Sequence, residues 1–130
     1  MTGRRDVLVV EDDADLSALM EMVLLDAGFT VRRAADGLEA LEQVEAAMPG
    51  VILLDMRMPR MNGWEFAREF RRRWDRGAPI LVITAAENAK ARATEIGAEG
   101  WLEKPFDLDD VIAAVSRYVP PAPARPAPGI

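Results

Sequence analysis

The sequence contains neither cysteine nor histidine. Without cysteine there is no disulfide framework and no thiolate metal site, a composition that suits a reducing compartment. Without histidine the chain lacks the commonest transition-metal ligand, the usual general base and any phosphohistidine of its own. Basic charge is in deficit as well: 16 Lys and Arg face 22 Asp and Glu, for a formal net charge of −6. A phosphate-binding surface needs the opposite balance, which argues against direct nucleic acid binding. The arginines fall mostly on expected helices among Glu and Asp, the pattern of a solvated mixed-charge face. No apolar run approaches a membrane span, and the run Val7 to Val10 is too short for a signal-peptide core. The expectation is a cytoplasmic protein without a membrane contact.

What is present is the makings of one core. The 130 residues are half hydrophobic and fit a single domain of ordinary size. Apolar runs alternate with helical patterns along the whole chain. Val7-Leu8-Val9-Val10, Val51-Ile52-Leu53-Leu54 and Ile80-Leu81-Val82-Ile83 read as strands buried on both faces, with shorter strands around Phe29–Arg33 and Gly100–Glu103. Between them, Leu16, Leu19, Met20, Val23 and Leu24 recur at helical spacing, as do Leu38, Leu41, Val44 and Met48 after the cap Asp36. Asn62 opens a helix with Trp64, Ala67, Phe70 and Trp74, and an Ala-rich helix spans 87–96. The last helix holds Leu108, Val111, Ile112 and Val115 and reaches about Tyr118. Five strand–helix units in strict alternation predict an α/β fold, a parallel sheet with right-handed crossovers and helices on both faces. Residues 1–119 form the expected domain. Residues 120–130, rich in Pro and Ala, are the expected extended tail or truncated linker.

In a parallel sheet every strand C-terminus lies along one edge, where ligands bind at the reversal of strand order. The first strand ends in Glu11-Asp12-Asp13, the third in Asp55, the fourth in Thr84 and the fifth in Lys104. The second ends in Ala34-Ala35 and carries no chemistry until Asp36, which places it at an edge and predicts the flavodoxin-like order 2-1-3-4-5. That order crowds Glu11, Asp12 and Asp55 into one crevice, where like charges raise each other's pKa or call in a cation. An all-oxygen donor set fits a hard ion, most naturally Mg²⁺. Asp13 and Asp15 are better read as anions at the start of the first helix. Thr84 and Lys104 add a hydroxyl and a fixed cation facing the acids, groups able to hold phosphoryl oxygens. An Asp carboxylate is a known covalent acceptor of such a group.

Val7–Asp13, Leu53-Leu54-Asp55-Met56-Arg57-Met58-Pro59 with Asn62-Gly63, Thr84-Ala85 and Lys104-Pro105-Phe106 together resemble the receiver domain of two-component response regulators. The resemblance covers about residues 6–119. It implies that Asp55 becomes a 4-aspartylphosphate, with Glu11 and Asp12 as the acidic pair. Mg²⁺ would be held by Asp12, Asp55 and the main-chain carbonyl of Arg57. Thr84 would bond the phosphoryl oxygen, Lys104 would pair with it, and Lys104–Pro105 would be a cis peptide. Trp101 stands where the family carries a switch aromatic, usually Tyr or Phe, that turns inward as the Thr hydroxyl moves; the plainer reading makes it packed core. Arg57 and Ala86 occupy positions that affect dephosphorylation in relatives.

The implied donor is a histidine kinase or a histidine phosphotransfer protein, supplying the His this chain lacks. The implied output is a change in the surface of residues 87–118, read by an effector or used for homodimerisation. On this reading the chain is a switch and not an enzyme beyond slow self-dephosphorylation. No effector domain follows in the sequence, so a stand-alone receiver or a fragment cut within a Pro-rich linker is expected. Three rivals share features with it. An aspartate-nucleophile phosphatase would want Asp-x-Asp where the sequence has Asp55-Met56-Arg57. A flavin-type binder would need a phosphate-cradling first loop, which Glu11-Asp12-Asp13 would repel. A phosphorylation-independent pseudo-receiver would keep the fold without needing the full set Glu11, Asp12, Asp55, Thr84 and Lys104.

Overall fold

The computed structural model describes residues 6–84 and 88–120. Ten elements alternate without exception: β1 (Asp6–Val10), α1 (Ala14–Asp26), β2 (Thr30–Ala34), α2 (Gly37–Ala46), β3 (Val51–Asp55), α3 (Gly63–Trp74), β4 (Ile80–Thr84), α4 (Ala89–Ile96), β5 (Gly100–Glu103) and α5 (Leu108–Ser116). The strands form one parallel sheet in the order β2-β1-β3-β4-β5. Central strands in such a sheet must be apolar on both faces, and β3 and β4 are buried at every position.

The pleat sorts these strands into two cores. Leu8, Val10, Ile52, Leu54, Ile80 and Val82 face one way, toward Leu41 and Val44 of α2, Phe66 and Phe70 of α3, and Ala93 of α4. Val7, Val9, Val51, Leu53, Leu81 and Ile83 face the other way, toward Met20 and Leu24 of α1 and Val111 and Val115 of α5. Helices therefore cover both faces, and all five strand C-termini are left at one open edge.

Several local expectations need correction. β2 and α4 are shifted from the ranges read above, to Thr30–Ala34 and Ala89–Ile96; position 87 lies outside the described residues. α2 ends at Ala46, short of Met48, and α5 at Ser116, short of Tyr118. Leu19 and Leu38, placed on buried stripes by spacing, are exposed, whereas Ser17 and Phe66 point inward. Trp64 and Trp74 are half-buried at the margin of the α2–α3–α4 core. Residues 121–130, and with them most of the expected tail, lie outside the described residues.

Capping fixes where the helices begin. Asp13 accepts from the backbone N–H groups of Asp15 and Leu16 at 3.1 Å, and Asn62 and Glu65 form a reciprocal capping box on α3. Asp36 does more than cap α2. Its buried carboxylate accepts from the Glu39 N–H at 3.0 Å and from Arg60 Nε at 2.6 Å. Arg60 sits in the left-handed region at φ 62°, and the Gly37 N–H donates to the Met61 carbonyl at 2.9 Å. The loop after β3 is thereby tied to the start of α2. Burial alone would raise the Asp36 pKa, but the Glu39 N–H and the Arg60 guanidinium outweigh it and hold the carboxyl below its ordinary value. A depressed carboxylate contributes its stability above the unfolded pKa and loses it as pH falls through the folded one. Asp36→Ala is expected to cost about 2–3 kcal/mol at pH 7 by urea unfolding. That difference should shrink toward pH 3, where the wild-type carboxylate is itself being protonated.

Candidate functional site

The edge expected to carry chemistry gathers Glu11, Asp12, Asp55, Thr84 and Lys104. Register explains how. Val10 is paired with Leu54, so Glu11 and Asp55 follow side by side, and Asp55 pairs in turn with Ile83 of β4. Carboxylate oxygens of Glu11, Asp12 and Asp55 all lie within 4.8 Å of one another. Glu11 and Asp55 are buried, at 2% and 5% exposure, and Asp12 stands open to solvent at the rim.

Lys104 enters from the end of β5. Its backbone N–H donates to the Thr84 carbonyl at 2.8 Å, and its Nζ donates to Glu11 Oε1 at 2.7 Å. Glu11 Oε2 accepts from the Asp13 N–H at 3.1 Å, so both its oxygens are engaged. The peptide between Lys104 and Pro105 is cis. Thr84 is buried at the end of β4.

Burial pushes the Asp55 carboxyl up to about 7, with repulsion from Glu11 adding to the rise; Lys104 and the backbone N–H of Arg57 oppose it. With all three acids ionised, one ammonium leaves two negative charges unbalanced, which a divalent cation matches. The donors are hard oxygens, without nitrogen or sulfur, and the open side at Asp12 leaves room for retained water. The set fits Mg²⁺, and Glu11, Asp12 and Asp55 form its site.

Gly63 sets the distance of the next helix from this site. A Cβ there would lie 2.8 Å from Met56 Cα and 2.9 Å from the Asp55 carbonyl oxygen, both backbone atoms that cannot swing away. The N-terminus of α3 therefore rests directly on the strand end that carries Asp55, and the Gly63 N–H donates to the Met56 carbonyl at 3.0 Å. Sequence reading quoted Gly63 as part of a pattern and gave it no role. It also missed Met56 as fully buried core.

Trp101 is neither inward nor packed core. It is exposed on β5, and the Lys90 ammonium of α4 lies 5.9 Å from its ring centroid. Arg57 follows Asp55 with its side chain in solvent. Ala85 and Ala86, placed beside the site by sequence, lie outside the described residues.

These features define a class, and comparison with known proteins names it. A model of the response regulator receiver domain matches residues 7–116, and the chain belongs to that family. Response regulator MprA of Mycobacterium ulcerans is 38% identical over 109 residues, covering 82% of this chain and 47% of that protein. The chain thus spans about half the length of the curated relatives it matches. Among solved structures, the chemotaxis response regulator CheY4 of Vibrio cholerae superposes with a TM-score of 0.81 at 34% identity, over 91% of this chain and all of that one. TrrA of Thermotoga maritima, solved in complex with Mg²⁺ and BeF, gives a TM-score of 0.79 at 26% identity over 88% of this chain and 99% of its own. Among the described residues no helix is long and apolar enough to cross a membrane.

Two outcomes test the electrostatics. A carboxyl whose folded pKa is raised above the unfolded value favours folding below the unfolded pKa, and that advantage is lost as pH rises through about 7. Metal-free protein should therefore lose stability between about pH 4 and pH 7 and level off above, and Asp55→Asn should recover on the order of 1–3 kcal/mol at pH 8. Mg²⁺ should raise the melting temperature of the wild type at pH 8 and leave Asp55→Asn nearly unchanged, as read by thermal unfolding. Gly63→Ala should destabilise by about 1–3 kcal/mol in urea and weaken Mg²⁺ binding measured by calorimetry, because the backbone under Asp55 must shift.

Proposed function

We propose that Asp55 is the phospho-acceptor of a phosphorelay. The observation that carries this reading is the convergence of Asp55 with two further acids, a buried hydroxyl and a fixed ammonium at one sheet edge. In the transfer, an Asp55 carboxylate oxygen forms a bond to phosphorus as the nitrogen–phosphorus bond of a phosphohistidine breaks. The electron pair leaves with the donor imidazole, which takes up a proton. Mg²⁺, when bound, neutralises charge on the phosphoryl oxygens. Asp12, Asp55 and the main-chain carbonyl of Arg57 would hold it, with Glu11 beside them.

Lys104, now paired with Glu11, turns part of its charge to the phosphoryl group. The Thr84 hydroxyl donates to another of its oxygens. These new bonds favour one of two arrangements of the surface at residues 87–118, with Trp101 changing its exposure as Thr84 moves. The domain is then a switch and not a turnover enzyme.

The donor is a histidine kinase or a histidine phosphotransfer protein, and the reader an effector or a second copy meeting the 87–118 surface. A donor has to approach Asp55 over the helix starts that frame the edge. The outer face of α1 offers it an apolar strip beside α5, since Leu19, Met22 and Leu25 are 39%, 60% and 50% exposed. Intact mass after incubation with acetyl phosphate and Mg²⁺ tests the acceptor. One phosphoryl increment is expected in the wild type, lost on adding a chelator and absent from Asp55→Asn. Labelling that persists in the variant would place the acceptor elsewhere, and partner binding indifferent to Asp55→Ala would favour a phosphorylation-independent module.

A further inference from the structure

α4 is poorly provided for by its own sequence. It has eight residues, starts at Asn88 in the left-handed region (φ 67°), has no side-chain cap and no acid in its first turn. So short a helix does not hold itself together and depends on what it packs against. Yet only Ala89 and Ala93 are fully buried, two of the smallest side chains available.

Beyond its seat on β4 and β5, its side-chain hydrogen bonds to another element run to α3. Trp64 Nε1 donates to Glu95 Oε1 at 2.9 Å, and Arg92 Nη2 donates to Glu95 Oε2 at the same distance. The Arg92 guanidinium lies over the Trp64 indole, 5.9 Å from its centroid, so the three side chains close on one another. Two turns further along α3, Arg71 Nη2 donates to the carbonyl of Gly97, the residue that ends α4, at 2.8 Å. The hydrogen bond from Trp64, and then Arg92, hold the Glu95 carboxyl below its usual range. Trp64 is the residue after Gly63, whose close approach seats α3 on the backbone of Asp55.

We infer that Trp64, Arg92 and Glu95 form a clasp that fixes α4 in its unphosphorylated position and thereby sets the resting balance of the switch. The regulatory half rests on Asp55 being the acceptor; the mechanical half does not. A contact made in the resting arrangement and lost in the switched one opposes switching by its own free energy. Linkage requires that removing it shift the equilibrium toward the phosphorylated arrangement by the free energy it contributed to the resting one.

Trp64→Phe keeps the ring and deletes the donor. Glu95→Ala deletes the acceptor while raising intrinsic helix propensity, so propensity alone would slow exchange in α4 where the clasp model demands the reverse. In the unphosphorylated protein, amide exchange of residues 88–97 should quicken by about two- to fivefold in each variant. The double variant should add little, since both changes break one bond. Arg72→Ala, exposed on α3 and paired with Glu69, should leave exchange in residues 88–97 unchanged. With sub-saturating acetyl phosphate and Mg²⁺ the phosphorylated fraction reached should rise in both clasp variants, and by a similar factor in the two. Unchanged or slower exchange overturns the clasp. Faster exchange with an unchanged or reduced phosphorylated fraction overturns its role in the resting balance. A wild type that takes up no phosphoryl group overturns that role together with the assignment of Asp55, and leaves the exchange result to decide the clasp.

Discussion

A carboxylate at the end of a buried strand beside a second buried carboxylate is an arrangement that water would not choose. Asp55 and Glu11 are both withdrawn from solvent, and the rise of the Asp55 pKa to about 7 measures the resulting conflict. Much of the surrounding structure serves to contain it. Lys104 is delivered from β5 by a peptide that first hydrogen-bonds the Thr84 carbonyl, so its ammonium arrives beside Glu11 on a short, fixed tether. The start of α1 adds the Asp13 N–H to the other Glu11 oxygen. The charge that remains matches a divalent cation, which when bound would also offset the repulsion between these acids and an incoming phosphoryl group.

Holding that conflict requires a scaffold that does not yield, which explains how apolar the sheet is. β3 and β4 are buried throughout, and the two faces are packed by different helices, so neither strand can shift without disturbing both cores. The loop after Asp55 is tied on a second side by Asp36 and Arg60, and α3 is pressed against the Asp55 backbone through Gly63. Rigidity is thus concentrated where the charges are.

Legibility of the sequence followed the same division. Short apolar runs rich in β-branched residues and bounded by turn signals read as doubly buried strands, and the residues that end them point to the site. The second strand's lack of chemistry gave its edge position. Helix faces were less readable where composition was ambiguous. α1 is apolar almost all round, so spacing could not distinguish Met20 and Leu24, which are buried, from Leu19, which is not. Pairings between distant residues, such as Arg60 with Asp36 or Trp64 with Glu95, depend on how the loops and helices pack. No local pattern announces them. Trp101 shows a third kind of limit: its position on β5 is clear from the sequence, but no local pattern announces that its ring lies in solvent beside the Lys90 ammonium of α4.

A switch needs one part that holds and another that can move at modest cost, and the buried side chains separate the two. α3 sends Phe66 and Phe70 into the core, and α1 sends Met20 and Leu24. α4 buries two alanines and part of Ile96, and its hydrogen bonds to α3 are close to solvent. Polar contacts of that kind are individually weak, because water competes for every partner. They can also be exchanged for others without opening a cavity, which aromatic packing cannot. On the proposed mechanism, a helix held in this way would take a second position for a free-energy difference within reach of a few new bonds at Asp55, Thr84 and Lys104. The scarcity of large side chains on α4 is therefore what makes it available to respond.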